Sequence, residues 1–425
     1  MRKQEMQLNV APDPAVDLVS TARTPISNSE LELLLLALRP APTEQEQVRL
    51  RELSAGDVNW GRMLSVARPQ GILVHFERGL RAAVAEVPAD VRRALREHAW
   101  QVHQRSVYLT AQLLRLLRCL RERGVAAIVL KGPVLAALAF EDLGRREFVD
   151  IDLLVRRRDL AAARETLLAE KFQLQFDVGP RLEQDFIDCV GQLAFVRDDG
   201  VMVELHVALL RYEFGKPLED TVLWEDPCQV SLLGRDVATL APDLQMLYVA
   251  LHGSRHVWSS LKWVCDLGGL VRTQPASACE RAWRRARTLR CERVFLLALL
   301  LATEVTGARL PEGLASRISE DRRVRRLAAG VYRRLSWCAV DPTGDWQRGW
   351  YHLCACDTVR DAVRYGICLF VAPTEADWRL LSVPRWLHAL YVPLRMLRLA
   401  TRAAFRTVVR FRQRWKETRQ GGSRS

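Results

Sequence analysis

The sequence predicts an α+β protein in which a small α/β unit lies between two helical regions. Over 29–122, apolar residues recur every three or four positions, as at Leu109 and Leu113, which is typical of helices that bury one face. Over 123–210, short β-branched and apolar runs alternate with helical stretches. Beyond 210 the helical period returns and continues to the end. We therefore expect one small sheet in a largely helical chain.

The α/β unit has the order strand, helix, strand, helix and hairpin. Pro133 suits the first turn of a helix, because its missing N–H has no partner there in any case. Asp159 is a plausible N-cap for the second helix. The turn Asp198-Asp199-Gly200 separates two apolar runs and predicts the hairpin. The expected elements are a strand over 125–130, a helix over 133–142, a strand over 148–155, a helix over 159–171, and a hairpin of 193–197 with 201–206.

The same patterns divide the chain into five segments. Residues 1–28 are polar and carry three prolines, so we expect disorder there. Ser27-Asn28-Ser29-Glu30 then resembles a helix start ahead of an apolar run. The predicted segments are the disordered N-terminus at 1–28, a helical region at 29–122, the α/β domain at 123–210, a helical C-terminal domain at 211–393, and a basic amphipathic helix and tail at 394–425.

The net charge of +13 is concentrated near the end of the sequence. Residues 395–425 hold ten Arg or Lys and one acid, Glu417, so this segment carries nine of the thirteen net charges. The basic excess is therefore no argument for a nucleic-acid-binding body. The ten cysteines form no paired C-x-x-C framework, and the first ten residues lack the apolar stretch of a secretory signal. We expect a cytoplasmic protein with free thiols, with peripheral membrane contact as an addition.

Asp150 and Asp152 are the most informative residues of the chain. Two carboxylates one residue apart on a strand point to the same face, which is costly unless a cation lies between them. The apolar run 153–155 indicates that this strand is buried, and Glu204 lies in a second apolar run. Three acids on neighbouring strands are the ligands that a two-metal phosphoryl-transfer site needs. The alternatives are surface acids on an edge strand and, for Glu204, a residue that faces solvent after the hairpin turn.

Four spaced blocks, within about 110–275, give the chain a family resemblance. Together they resemble the bacterial uncharacterised nucleotidyltransferase family of the DNA polymerase β-like superfamily, which implies a polymerase-β-like catalytic domain at 123–210. The blocks are Val129-Leu130-Lys131-Gly132, Arg146 followed by Asp150-Ile151-Asp152-Leu153-Leu154-Val155, Val203-Glu204-Leu205-His206, and Leu251-His252-Gly253-Ser254-Arg255-His256 with Leu261-Lys262-Trp263 and Asp266-Leu267.

The resemblance implies transfer of a nucleoside monophosphate from a nucleoside triphosphate (NTP) to an acceptor, with release of pyrophosphate. Asp150, Asp152 and Glu204 would bind two Mg²⁺ ions, with Mn²⁺ as a second candidate. The base of the NTP and the acceptor are open; a small molecule, a peptide, a sugar phosphate and a protein side chain are the acceptor candidates. A binding module with this fold and little catalysis is the alternative function.

Lys131, Gly132 and Arg146 are the implied nucleotide-binding residues. Gly132 would let the backbone approach a phosphate, the following helix N-terminus would offer N–H groups, and Lys131 would add a positive charge. An ordinary lysine at a strand end is the alternative for Lys131. Lys-Gly replaces the Gly-Ser pair of many superfamily members, and Glu147 and Val149 replace the usual proline and small residue near Arg146. These departures affect the expected triphosphate contact and the loop shape.

Further polar residues in the blocks have weaker assignments. His206 shares a strand face with Glu204, so it would orient a carboxylate, contact nucleotide or make a structural hydrogen bond. His252 and His256 share a helix face, where a packing or substrate-pocket role is favoured over a zinc pair. Lys262 and Asp266 are also four apart, so an intrahelical salt bridge is the default interpretation. Because the block is a family feature, we expect it to close over the active site.

The C-terminal tail has its own alternatives. Arginines recur at three or four positions and form a basic stripe, while apolar residues occupy other faces. This pattern is typical of an amphipathic helix on an anionic membrane, and it also fits a nucleic acid or an acidic partner. A helix packed on the body with a solvated arginine face is the simplest alternative. The stripe consists of Arg395, Arg398, Arg402, Arg406 and Arg410.

Overall fold

The computed structural model describes residues 26–209, 214–216, 220–336, 345–398 and 401. Most of the predicted disordered segment and residues 402–425 of the predicted tail lie outside these residues. The predicted helix start at Ser27 is confirmed: its side chain accepts from the N–H of Glu30, and the Glu30 carboxylate accepts from the N–H of Ser27. Ile26, before this cap, is buried. The predicted α+β class is confirmed, with one mixed sheet among many helices.

Seven strands form the sheet in the order β3-β4-β5-β2-β1-β7-β6. The inner strands β1, β2 and β5 bring together the segments that carry the predicted site. β1 pairs antiparallel with β2, and β2 pairs parallel with β5. The strands are β1 (Ala127–Val129), β2 (Asp150–Val155), β3 (Gln173–Leu174), β4 (Gln192–Val196), β5 (Met202–His206), β6 (Cys228–Leu232) and β7 (Arg235–Thr239).

The prediction of helices throughout 211–393 is wrong at the hairpin of β6 and β7. This hairpin extends the sheet, because β7 pairs parallel with β1 through Val129 and Thr239. Leu233 and Gly234 connect its strands, both with positive φ, as a tight two-residue hairpin turn requires. Alternate residues on both strands are buried, which is the period of a half-buried strand rather than of a helix. A boundary at 210 therefore divides the sheet.

Eighteen helices are found among the described residues. Those before the sheet are α1 (Asn28–Ala37), α2 (Glu44–Ala55), α3 (Trp60–Ala67), α4 (Leu73–Ala82) and α5 (Ala89–Glu122), and those within it are α6 (Pro133–Phe140), α7 (Leu160–Ala169), α8 (Glu183–Val190) and α9 (Asp220–Trp224). Those after it are α10 (Pro242–Arg255), α11 (Lys262–Thr273), α12 (Ala276–Thr288), α13 (Glu292–Thr306), α14 (Glu312–Glu320), α15 (Arg322–Ser336), α16 (Asp345–Ala355), α17 (Val359–Val371) and α18 (Glu375–Trp378). None of these helices combines the length and the apolar character needed to cross a membrane.

The helices before and after the sheet share one hydrophobic core. Its buried side chains include Leu33 on α1, Phe76 on α4 and Phe295 on α13. The helical body therefore consists of chain segments more than 200 residues apart, although the sequence patterns placed them in two separate flanking regions. Gly269 on α11 fixes how this body meets the sheet, because a Cβ there would lie 2.7 Å from the Ala139 carbonyl oxygen of α6.

Helix α5 connects the helical body to the sheet. Near its start, Val91 and Leu95 belong to the helical core, and further along Leu109 and Leu120 belong to a second core beneath the sheet. The second core also includes residues of β2 and β5, so the strands that carry the predicted site rest on a long helix that both bodies share. The site is therefore held by rigid elements rather than by loops.

The described part of the predicted basic stripe is packed on the body. Arg395 is 4% exposed, and its guanidinium binds the Asp377 carboxylate and the carbonyl oxygens of Leu369 and Ala372. Arg398 lies 2.9 Å from the other oxygen of Asp377. The first two arginines of the stripe are therefore bound to the body and do not lie on a solvated face. The later arginines, Arg402, Arg406 and Arg410, lie outside the described residues.

Candidate active site

The parallel register of β2 and β5 positions the acidic side chains. Asp152 pairs directly with Glu204, and Leu154 pairs with His206. Because alternate residues share a strand face, Glu204 and His206 lie on the same side of β5, next to Asp152. β2 is an inner strand, so the edge-strand alternative for Asp150 and Asp152 is wrong. The run 151–155 is buried, since helices cover the sheet.

Asp152 is the centre of a compact polar cluster. Its Oδ1 atom lies 2.9 Å from the Lys131 Nζ and accepts a hydrogen bond from His206 Nε2 at 3.1 Å. His206 Nε2 is also 3.3 Å from Oε2 of Glu204. Three potential metal ligands lie within 4.8 Å of one another: one atom each of Asp152, Glu204 and His206. Among the described residues, this is the only group of three such side chains that could hold a metal ion. We call these three residues and Lys131 the strand-end cluster.

The second oxygen of Asp152 differs from the first in its partners. Oδ2 is buried, and it has no hydrogen-bond partner among the described residues. An unpartnered carboxylate oxygen in the interior costs free energy, because it has lost its water without gaining a donor. Such an orphaned atom beside a second carboxylate fits a site that a cation completes.

The charges of the strand-end cluster are strongly coupled. Burial opposes the ionised form of Asp152, but Lys131 and His206 outweigh it and hold the pKa of this carboxyl well below its usual value. Burial likewise opposes the charged form of His206, but the hydrogen bonds to Asp152 and Glu204 raise its pKa. The lysine and histidine thus hold Asp152 ionised, which is the form a metal ligand needs.

Asp150 lies beside the strand-end cluster rather than within it. It is two residues before Asp152, so the two Cα atoms are separated by about 6.6 Å along the strand. Burial and then the Asp152 charge raise the pKa of its carboxyl. Asp150 borders the same cavity but is not one of the three groups with clustered ligand atoms. Its predicted role as a metal ligand stays a prediction.

A cavity of about 340 Å³ opens in front of the strand-end cluster. Nine of the eleven residues predicted for the site line it, while Gly132 and Asp266 do not. The nine are Lys131, Arg146, Asp150, Asp152, Glu204, His206, His252, His256 and Lys262. The structure therefore brings the blocks of the sequence together around one space, whose volume is that of an ordinary small-molecule site.

Gly132 lies between Lys131 and the start of α6. Its φ of 63° is in the left-handed region, and a Cβ there would be 3.4 Å from the Phe148 ring, so glycine is the residue that suits this turn. Pro133 occupies the first turn of α6, as predicted, and no side chain caps this helix. The first N–H groups of α6 are therefore not used by a capping side chain.

Arg146 and Asp266 form a buried bidentate pair, which we call the clamp. Arg146 Nε donates to Asp266 Oδ1 at 2.8 Å, and Nη2 donates to Oδ2 at 3.0 Å. The default Lys262–Asp266 salt bridge is therefore wrong, because the guanidinium saturates both oxygens of Asp266. Burial opposes the charge on Arg146, but Asp266 outweighs it and raises the pKa of the guanidinium. The clamp ties the loop before β2 to α11 of the helical body.

One wall of the cavity is aromatic. His252 and His256 lie with ring centroids 4.8 Å apart, and each lies 5.2 Å from the Trp263 ring. Burial, with Lys131 and His256 nearby, holds the pKa of His252 well below its usual value. No described side chain completes a three-ligand cluster with this pair, and the packing role is the one the geometry supports.

Sequence reasoning gave no role to several residues that line the cavity. Tyr248 is fully buried, and burial raises the pKa of its hydroxyl to about 12. It lies one helical turn before His252 on α10, so the spacing of four could have identified it. Arg255 and Trp263 were within the quoted blocks but had no assigned role. Gln192 and Phe148 are further lining residues that no motif marked.

The residues present fit a divalent cation. Carboxylate oxygens suit Mg²⁺ and Mn²⁺, and an imidazole nitrogen is a common ligand for Mn²⁺ and heavier metals. The orphaned Oδ2 of Asp152, next to Glu204, is the observation that carries this fit. Lys131 is the counter-charge to Asp152 in the arrangement seen here.

Comparison with known proteins places the chain in a family. A family model described as "Uncharacterised nucleotidyltransferase" matches residues 56–307, more than half of the chain, and the match contains every residue of the strand-end cluster and the clamp. Among solved structures, that of the antibiotic-resistance factor ANT(2'')-Ia is similar at a TM-score of 0.32 and 13% identity, covering 44% of this chain and 94% of that chain. No curated protein matches the sequence. The resemblance drawn from the sequence blocks is confirmed, and the chain belongs to the uncharacterised nucleotidyltransferase family.

Proposed function

We propose that the chain is a divalent-metal-dependent nucleotidyltransferase that transfers a nucleoside monophosphate from an NTP to an acceptor and releases pyrophosphate. The observation that carries this proposal is Asp152, a buried carboxylate with one oxygen held by Lys131 and His206 and the other without a partner. An ionised, half-satisfied carboxylate beside Glu204 has no structural benefit that an apolar residue would lack. It is explained by a ligand that brings positive charge.

The metal would be held by Asp152 and Glu204, with His206 and Asp150 as further candidate ligands. Bound there, Mg²⁺ would neutralise phosphate charge and lower the pKa of an acceptor hydroxyl. His206 would hold Asp152 in place through its Nε2 hydrogen bond, whether or not it is itself a ligand. Mg²⁺ is the favoured ion because the site offers mostly oxygen ligands, with Mn²⁺ as the second candidate.

The triphosphate would lie between Lys131 and the start of α6. The Lys131 ammonium is within the cavity, so a phosphate that replaced its contact with Asp152 would retain an ion pair. Gly132 removes the side chain that would otherwise separate a phosphate from the backbone, and the uncapped N-terminus of α6 favours negative charge. Arg146 would contribute its positive charge from a fixed position, since Asp266 holds it on two nitrogens.

The opposite wall would receive the base or the acceptor. The rings of His252, His256 and Trp263 offer flat surface on which an aromatic base can stack. The depressed pKa of His252 keeps this ring neutral at ordinary pH, and Arg255 and Lys262 line the same cavity. The acceptor hydroxyl or amine would then approach from the open side, near Asp150.

The test is transfer of label from each of the four α-³²P-labelled NTPs, with Mg²⁺ and a cell extract as the source of acceptor. We expect the wild-type chain to label an acceptor, and the double variant Asp150→Asn/Asp152→Asn to lose that labelling. Asp198→Asn, in the exposed β4–β5 turn, is the matched control and should keep it. Labelling that persists in the double variant would overturn the assignment of the site. NTP binding without transfer under any condition would favour a binding module with this fold.

A further inference from the structure

Exposed apolar side chains are concentrated at one end of the described chain. Of the twenty large apolar residues that are exposed among the described residues, thirteen lie between Trp350 and Leu397. Trp386 is the most prominent aromatic one, with 78% of its surface exposed. Single exposed apolar residues are ordinary, but so many within one short part of the chain call for an explanation.

Helix α17 shows the pattern most clearly. Four apolar residues, spaced by four, four and three positions, form one face of the helix and point to solvent: Val359 at 81%, Val363 at 56%, Ile367 at 58% and Phe370 at 44%. The other face holds Asp361 and Tyr365, which are buried. We call the four residues the apolar stripe. An amphipathic helix normally packs its apolar face on the protein, and this one presents it to solvent.

A basic groove begins where the apolar stripe begins. Helices α15, α16 and the start of α17 enclose a groove of about 860 Å³, and no acidic side chain of the described residues lines it. Arg323 and Arg326 are exposed in this groove and form no ion pair within the described part of the chain. Val359 belongs both to the groove and to the stripe, and Trp350, 59% exposed, lies at the groove as well. Positive charge and apolar surface are therefore continuous.

We propose that this face, consisting of the basic groove and the apolar stripe, binds the surface of a bilayer that contains anionic phospholipids. Exposed arginines that form no ion pair, such as Arg323 and Arg326 among the described residues, complement lipid phosphates. Apolar side chains with an exposed tryptophan suit the boundary between headgroups and acyl chains. A nucleic acid would account for the arginines but leave the stripe in water. The sequence adds eight further basic residues and one acid over 402–425, further along the chain.

The proposal is tested by co-sedimentation of the full chain with vesicles. One set contains phosphatidylcholine alone, and the other contains phosphatidylcholine and phosphatidylglycerol in equal parts. We expect binding to the anionic vesicles, weakened by salt because screening shortens the reach of the arginines. Arg323→Glu/Arg326→Glu should weaken this binding by about tenfold or more, since each basic side chain near an anionic surface contributes a several-fold factor.

Ile367→Ser/Phe370→Ser should also reduce binding, and should remove the part that survives high salt, because that part depends on apolar burial. The matched controls are Arg118→Glu/Arg121→Glu on the exposed side of α5 and Leu168→Ser on α7, which should bind as the wild type does. All substituted residues are exposed, and circular dichroism checks that each variant folds. Binding that survives both face variants would assign it to 402–425 and overturn the proposal. Equal binding to both vesicle types, or none to the anionic ones, would overturn it too.

Discussion

Asp152 and Asp266 are two buried aspartates near the same cavity, but their carboxylates differ in their hydrogen-bond partners. Both side chains are 1% exposed. Asp266 has both oxygens saturated by one guanidinium, whereas Asp152 shares one oxygen between a lysine and a histidine and leaves the other without a partner. The first arrangement is complete by itself. The second arrangement leaves a carboxylate oxygen available to a cation.

The difference separates a structural carboxylate from a functional one. A buried charge that is fully paired cannot take up a ligand without losing its partner, so Asp266 acts on the site only by fixing Arg146. A buried carboxylate oxygen without a hydrogen-bond partner costs free energy, and beside a second carboxylate it can take up a cation without losing a partner. The four predictions below test whether the clamp supports the fold and the strand-end cluster supports the chemistry.

Asp152→Asn should have the largest effect. It should lower the rate of nucleotidyl transfer by about three orders of magnitude, as expected when a main electrostatic element of a reaction site is removed. The asparagine keeps the volume and can still accept from His206 and Lys131. Lys131 loses its counter-charge, but it lines the cavity, where water can solvate the ammonium, so the variant should fold. Single-turnover transfer measured beside thermal unfolding checks both statements. A variant that loses activity only because it unfolds would place Asp152 with the clamp instead.

Asp266→Asn should affect mainly the stability of the protein, whereas Asp152→Asn should affect mainly its activity. The change leaves the buried Arg146 charge uncompensated and should lower the free energy of unfolding by about 3 kcal/mol. Asp243→Asn is the matched control, because its partner Arg285 is partly exposed, and it should cost about 1 kcal/mol or less. Urea unfolding measures both. If the two variants lose equal stability, the clamp contributes no more than a surface pair.

The contrast between these aspartates shows what the sequence could and could not predict. Asp150, Asp152 and Glu204 were identified because their signal is local: acids inside apolar strand-like runs, next to a clear hairpin turn. The Arg146–Asp266 pair spans 120 residues, and Lys262 offered a nearer partner for Asp266 at the helical spacing of four. Local spacing predicts the default pair, and only the packing of α11 on α6 determines the real one.

Two parts of the fold were missed for related reasons. The β6–β7 hairpin has a weak sequence signal, since its turn, Leu233-Gly234, has only one of the usual turn residues. Helical periodicity shows that a helix buries one face but not which partner covers it. The shared core of α1 and α13 is therefore not visible in the sequence, and neither is the burial of Arg395 and Arg398 against Asp377.

His206→Ala tests whether this histidine contributes to metal binding together with Asp152. Its Nε2 touches both Asp152 and Glu204, so its loss should weaken Mn²⁺ binding about 10- to 100-fold, whether it is a ligand or orients one. Isothermal titration calorimetry with Mn²⁺ measures this without any reaction. His256→Ala, on the aromatic wall, is the control and should bind Mn²⁺ nearly as the wild type does. A larger loss for His256→Ala would revive the zinc-pair alternative.

The prediction with the smallest expected effect concerns His75, a buried histidine near Arg146 of the clamp. It is buried against Phe140, and burial, with Arg145 and Arg146 nearby, lowers its pKa to about 3. The unfolded chain takes up this proton near pH 6.5, whereas the folded chain does not until about pH 3, so acid favours unfolding between these values. Stability should fall by about 1.4 kcal/mol for each pH unit below 6.5 on account of this residue. His75→Phe should remove that part of the slope and leave a constant difference above pH 7. Urea unfolding of both proteins from pH 8 to pH 5 measures it, and parallel curves over the whole range would show that His75 is not held neutral beside the clamp.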